Sequence, residues 1–194
     1  MEQLAPKKYY SPEEYLALEE KADYKSEYYK GEIFAMSGGS VNHNLIIGNI
    51  HASLYQKLRD SKCFAFMSDV RLWIDEKDLF TYPDIMIVCD KIEFYPGRDD
   101  TITNPIVVFE ILSESTKNYD RGEKFVFYRA IPSFQEYILI DQSRVHVEHF
   151  YISEQSKWTL TEYDDLNDVL KLTKIDFQIS LRDIYQRVEF GENK

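Results

Sequence analysis

Ile106-Val107-Val108-Phe109-Glu110-Ile111-Leu112 is the stretch on which the reading of this chain turns. Six of its seven residues are apolar and four are β-branched, which predicts a central strand buried on both faces. The exception is Glu110. Moving a carboxylate out of water costs several kcal/mol even after relaxation, so it needs a cation, a proton or solvent at a strand end. The stretch Pro83-Asp84-Ile85-Met86-Ile87-Val88 repeats the situation, with an acid at the start of a second apolar run. Two such acids on neighbouring strands repel unless something positive lies between them. A hard divalent cation, Mg2+ or Mn2+, is the natural candidate because it prefers oxygen ligands. Taken singly, each acid has an ordinary reading. Asp84 after Pro83 can initiate a strand or cap a turn, and Glu110 can end a strand in solvent or pair with a surface lysine.

Working outward, the helix expected over residues 120–130 follows the Glu110 strand. Asp120 and Glu123 form a candidate capping pair, and Pro132 stops the helix. If the helical turn extends back to residue 117, Lys117, Arg121, Lys124 and Tyr128 form one stripe. That basic face sets a cation beside the carboxylates, with Lys117 and Arg121 as candidate phosphate contacts. Its ordinary reading is a solvated face in which Lys124 pairs with Asp120. Further strands are expected at 63–67, 70–74, 85–89, 135–140, 145–151 and 158–163, with Gln142-Ser143 as a hairpin turn. Upstream, Ser11-Pro12-Glu13-Glu14 opens a short helix. Residues 24–36 read as a hairpin broken at Lys30-Gly31. After the break at residues 37–40, Leu45, Ile46, Ile50, Leu54 and Leu58 recur at helical spacing. A short helix over 181–188 closes the chain. The expected fold is a single α/β domain, 1–194, with a mixed central sheet flanked by helices and an added antiparallel hairpin region.

The 194 residues, 44% hydrophobic and 15% aromatic, suffice for one substantial core and fall short of two. No apolar run reaches the roughly 20 residues needed to span a bilayer. Residues 1–10 lack the apolar centre of a signal peptide. Cys63 and Cys89, each in a strand-like setting, are expected to be reduced core thiols, and the chain to be cytoplasmic. The formal charge of −11 argues against a nucleic-acid binder working by bulk electrostatics. A local basic stripe or a metal-filled cleft remains open. Nucleophile-elbow, phosphate-loop and dinucleotide signatures are absent.

Several pieces together resemble the Uma-two family, a restriction-endonuclease-like group within the PD-(D/E)xK nuclease superfamily. They are Tyr82-Pro83-Asp84, Phe109-Glu110-Ile111-Leu112-Ser113, Asp120-Arg121-Gly122-Glu123-Lys124 with Tyr128, and Pro132 to Tyr137 running into Asp141. Glu27-Tyr28, Gly31-Glu32, Met36-Ser37-Gly38 and His43-Asn44 extend the likeness over most of the chain. The resemblance implies a nuclease-type core with Asp84 and Glu110 as metal-binding acids, joined by the carbonyl of Ile111, and phosphodiester hydrolysis of nucleic acid, DNA first. Where the superfamily places a lysine two residues after the acid, this chain has Leu112; Lys124 is the matching position in the Uma-two pattern. His43 and Glu27 are further candidates for site support, each with a local packing or solvated alternative. His146 and His149 stand at a spacing that sets them on opposite faces of a strand. The alternative function is a nuclease fold kept as a non-catalytic binding module. Aromatics on the late strands point to a homodimer.

Overall fold

The computed structural model describes residues 8–114 and 116–191. The chain runs through α1 (Pro12–Glu19), β1 (Ser26–Tyr29), β2 (Glu32–Ala35), α2 (Val41–Leu58), β3 (Cys63–Met67), β4 (Arg71–Ile74), β5 (Leu79–Thr81) and β6 (Ile85–Cys89). It continues through β7 (Thr101–Ile102), β8 (Val107–Leu112), α3 (Lys117–Tyr119), a π-helical turn (Asp120–Lys124), α4 (Phe125–Tyr128), β9 (Glu136–Asp141), β10 (Val147–Ile152) and β11 (Trp158–Tyr163). The two short strands β12 (Val169–Lys171) and β13 (Gln178–Ser180) precede α5 (Leu181–Ile184).

The strands form a six-stranded sheet in the order β11-β10-β9-β8-β6-β3, a five-stranded sheet in the order β2-β1-β5-β4-β7, and the pair β12-β13. In the larger sheet β8 lies parallel to β9 and antiparallel to β6, so the sheet is mixed as expected. Its two-residue periodicity sorts the core. Ile85, Ile87, Phe109, Ile138 and Ile140 pack with Ile46, Ile50 and Leu54 of α2 and Leu181 and Ile184 of α5. Met86, Val88, Val108, Leu112, Tyr137 and Leu139 pack with Phe127 and Tyr128 of α4 and with Leu72, Ile74 and Leu79 of the smaller sheet. Glu110 shares the parity of Val108 and Leu112. It therefore faces the helical segment that follows it rather than α2.

The hairpin expected over 24–36 is present, turned at Lys30 and Gly31 with φ of 49° and 86°. Two consecutive positive φ angles suit the twist of a two-residue hairpin, and glycine adopts them without a Cβ penalty. The hairpin is larger than the sequence suggests, because β5, β4 and β7 extend it into a full sheet. The C-terminal helix is shorter, stopping at Ile184.

The expectation of two reduced cysteines is overturned. Cys63 and Cys89 face each other in the β3–β6 register with Cα atoms 3.9 Å apart, and they form a disulfide. Their sequence separation of 26 gave no sign of this, since strand register decides it. Among the described residues, no helix is long and apolar enough to cross a membrane.

Candidate functional site

The chain leaves the smaller sheet at Thr81, crosses by Tyr82-Pro83-Asp84, and enters the larger sheet at Ile85. Asp84 thus stands at the junction, beside Glu110, because Ile85 pairs with Phe109. Two main-chain donors lock the acids together. The Asp84 N–H donates to Glu110 Oε2 at 3.4 Å, and the Ile111 N–H donates to Asp84 Oδ2 at 2.8 Å.

Glu110 is only 3% exposed. Lys124 Nζ and the Tyr128 hydroxyl donate to its Oε1 at 3.0 and 2.5 Å. Burial, joined by the charges of Asp84 and Asp120, pushes its pKa well above the ordinary carboxylate range, against the pull of Lys124. Burial alone would lower the Lys124 pKa, but Glu110, Glu27 and Asp120 outweigh it and hold the amine charged. Burial and the Glu110 charge push the Tyr128 phenol far up, so it remains a donor.

Lys124 also lies 3.4 Å from Asp120 and 3.7 Å from Glu27, whose carboxylate accepts a hydrogen bond from Thr81. His43, three residues past the Ser40 cap of α2, sets Nε2 3.2 Å from Asp84 Oδ2. These groups line one cleft of about 360 Å³, with the loop 37–40 on its far wall. Asp84, Glu110, Lys124, Glu27 and His43 all reach it.

Lys117 and Arg121 do not line this cleft. Lys117 pairs with Glu114, and Arg121 Nε donates to Glu148 at 2.6 Å. The cause is the π-helical turn. A wider turn advances fewer degrees per residue, so Arg121 no longer shares a face with Lys124 and Tyr128. Asp120 does not cap the helix either, which starts at Lys117. It lies inside that helix, 3% exposed, as part of the site. Its i,i+4 spacing to Lys124 was the available signal; the role of Tyr128 as a Glu110 donor had none. His146 and His149 sit apart, engaged with Asp164 and with the buried Glu136.

The chemistry of the donor set suits a hard cation. Four carboxylates, Glu27, Asp84, Glu110 and Asp120, line the cleft against one ammonium, and Lys124 is the lone Lys or Arg among its described lining residues. Among the described residues no three His, Cys, Asp or Glu side chains stand preassembled as a metal-ligand set.

The Uma2 family model, described as "Putative restriction endonuclease", matches residues 12–182. A relative from Synechocystis sp. (strain ATCC 27184 / PCC 6803 / Kazusa), "Uncharacterized protein sll1609", is 42% identical over 149 residues, covering 77% of this chain and 84% of the relative. A second from the same organism, "Uncharacterized protein slr1290", is 35% identical over 182 residues, 93% of each chain. Among solved structures, "a putative nuclease belonging to DUF820 from Anabaena variabilis ATCC 29413" aligns with a TM-score of 0.70 over 91% of this chain and 97% of its own, at 17% identity. At that identity the likeness is one of fold.

Proposed function

The chain belongs to the Uma2 restriction-endonuclease-like family and has a nuclease fold, and from that premise we propose that it is a divalent-cation-dependent endonuclease hydrolysing phosphodiester bonds in nucleic acid, DNA first. One observation carries the reading: Asp84 and Glu110, rooted on neighbouring strands, share a cleft with a buried lysine. Asp84 and Glu110 are the residues that would hold Mg2+ or Mn2+, with the Ile111 carbonyl beside them. When bound, the cation supplies Lewis acidity at the scissile phosphate and offsets the charge that gathers there.

The protein's own groups do the rest. The Ile111 N–H fixes the rotation of the Asp84 carboxylate. Tyr128 fixes Glu110 from the other side. Lys124, held beside Glu110, Asp120 and Glu27, would orient the attacking water and offset negative charge growing on the phosphorus oxygens, a charged donor set in place before the reaction. Leu112 stays in the apolar core, since the amine arrives from the helix. With a cleft so acidic, nucleic acid also needs the cation to approach.

The test is nicking of supercoiled plasmid. Activity is expected with Mg2+ or Mn2+ and none with a chelator. No nicking, together with no cation binding in calorimetry, would support the non-catalytic module instead. A pH dependence follows as well. The Glu110 pKa is raised by burial, so at acidic pH the carboxyl holds a proton that the cation must displace. Cation affinity is therefore expected to rise with pH from 6 to 8, with proton release on binding that shrinks at the upper end. Calorimetry in buffers of different ionisation enthalpy measures both. Affinity independent of pH would place the cation away from Glu110.

A further inference from the structure

Resting on the cation reading above, we infer that His43 supplies a nitrogen donor to the ion held by Asp84, so that the site selects Mn2+ over Mg2+.

The geometry is that of adjacent ligands. His43 Nε2 and Asp84 Oδ2 are 3.2 Å apart. Two donor atoms each about 2.1 Å from one ion, roughly a right angle apart, stand about 3 Å from one another. The Ile111 N–H occupies one lone pair of Asp84 Oδ2, and the carboxylate keeps further lone pairs for an ion.

The ring's position is built into the surrounding chain. Ser40 Oγ accepts the His43 N–H at 3.1 Å, setting the first turn of α2. Asn42 Nδ2 donates to the Glu189 carbonyl at 2.8 Å, and Asn49 Nδ2 to that of Ile184 at 2.9 Å, pinning α2 to the C-terminal segment. Gly39 leaves the space the imidazole fills. A Cβ at that position would lie 2.7 Å from His43 Nδ1 and 3.2 Å from its Cγ. The ring rests on bare main chain, held between that glycine and Asp84.

A nitrogen donor changes which ion is favoured. Mg2+ takes oxygen ligands in a near-ideal octahedron and parts with water reluctantly. Imidazole favours first-row transition ions, and Mn2+ is the member of that series that also accepts carboxylate oxygen readily. Two carboxylates and an imidazole therefore bind Mn2+ more tightly than Mg2+.

The full-length protein, His43→Ala and Gly39→Ala are titrated with Mn2+ and with Mg2+ by calorimetry, with circular dichroism to check the fold. The Mn2+-loaded proteins are then examined by pulsed electron paramagnetic resonance, using 15N-histidine label to identify the coordinated atom. In the wild type a directly bound histidine nitrogen is expected. In His43→Ala that coupling is lost and Mn2+ affinity falls by roughly 10- to 100-fold, while Mg2+ affinity changes by no more than about threefold. Gly39→Ala, which displaces the ring and leaves Asp84 in place, shifts the Mn2+ to Mg2+ ratio the same way. Mn2+ bound without nitrogen coupling, or both ions weakened alike in His43→Ala, overturns the role of His43 and leaves the cation site standing. A wild type that binds neither ion overturns both readings.

Discussion

Asp84→Asn is expected to lower plasmid nicking by roughly a hundred- to a thousandfold, equivalent to about 3–4 kcal/mol of transition-state stabilisation, with little change in stability. The choice of asparagine matters. Asp84 Oδ2 accepts the Ile111 N–H in the middle of a buried strand. An alanine would orphan that donor at a cost of about 1–3 kcal/mol and blur the result. The amide oxygen of asparagine keeps the hydrogen bond and discards only the charge that a cation needs. Calorimetric Mn2+ titration, thermal melts and nicking rates on the same preparation separate the effects. A variant that nicks within threefold of wild type would remove Asp84 from the chemistry.

Lys124→Met should give the largest loss of stability of any single change in the cleft. The side chain is 7% exposed and touches Glu110, Asp120 and Glu27. Methionine preserves much of the volume and leaves three carboxylates facing each other without an ammonium. Breaking a buried pair by removing one partner costs about 3–5 kcal/mol. The loss should depend on pH in a definite direction. Glu110 already titrates above the ordinary range because it is buried, and without Lys124 it climbs further. Above the unfolded carboxylate pKa the native state then binds a proton that the unfolded state has released, so stability falls as pH rises. The deficit relative to wild type should be smaller at pH 5 than at pH 8, read from urea unfolding at each pH. A deficit that is flat with pH would mean that Glu110 does not depend on this lysine.

The two acids were legible because a carboxylate inside an apolar run carries its own energetic question. Asp84 and Glu110 each require a partner on energetic grounds alone. The strands around them were legible too, as nearly continuous apolar runs. What failed was whatever depends on register or on a short local deviation. Cys63 and Cys89 become neighbours only because β3 pairs with β6 in one alignment. Strands as short as β5, β7, β12 and β13 carry too few residues to show a period. Asp120 has the residue type of a cap, and burial beside Lys124 overrode that preference. Regular helical spacing puts Arg121 on the lysine's face, and the chain does not keep that spacing there.

That irregular turn has a corollary for how the amine is aimed. Between α3 and α4 the backbone winds loosely over Asp120–Lys124, so one extra residue is accommodated before the ordinary pitch resumes. Removing Gly122, a position where a side chain would meet open space, would let the coil tighten to its usual pitch and swing the following side chains about 100° around the axis. The charge would be unchanged, yet the lysine would point elsewhere: the winding of five residues acts as the azimuthal setting of the ammonium.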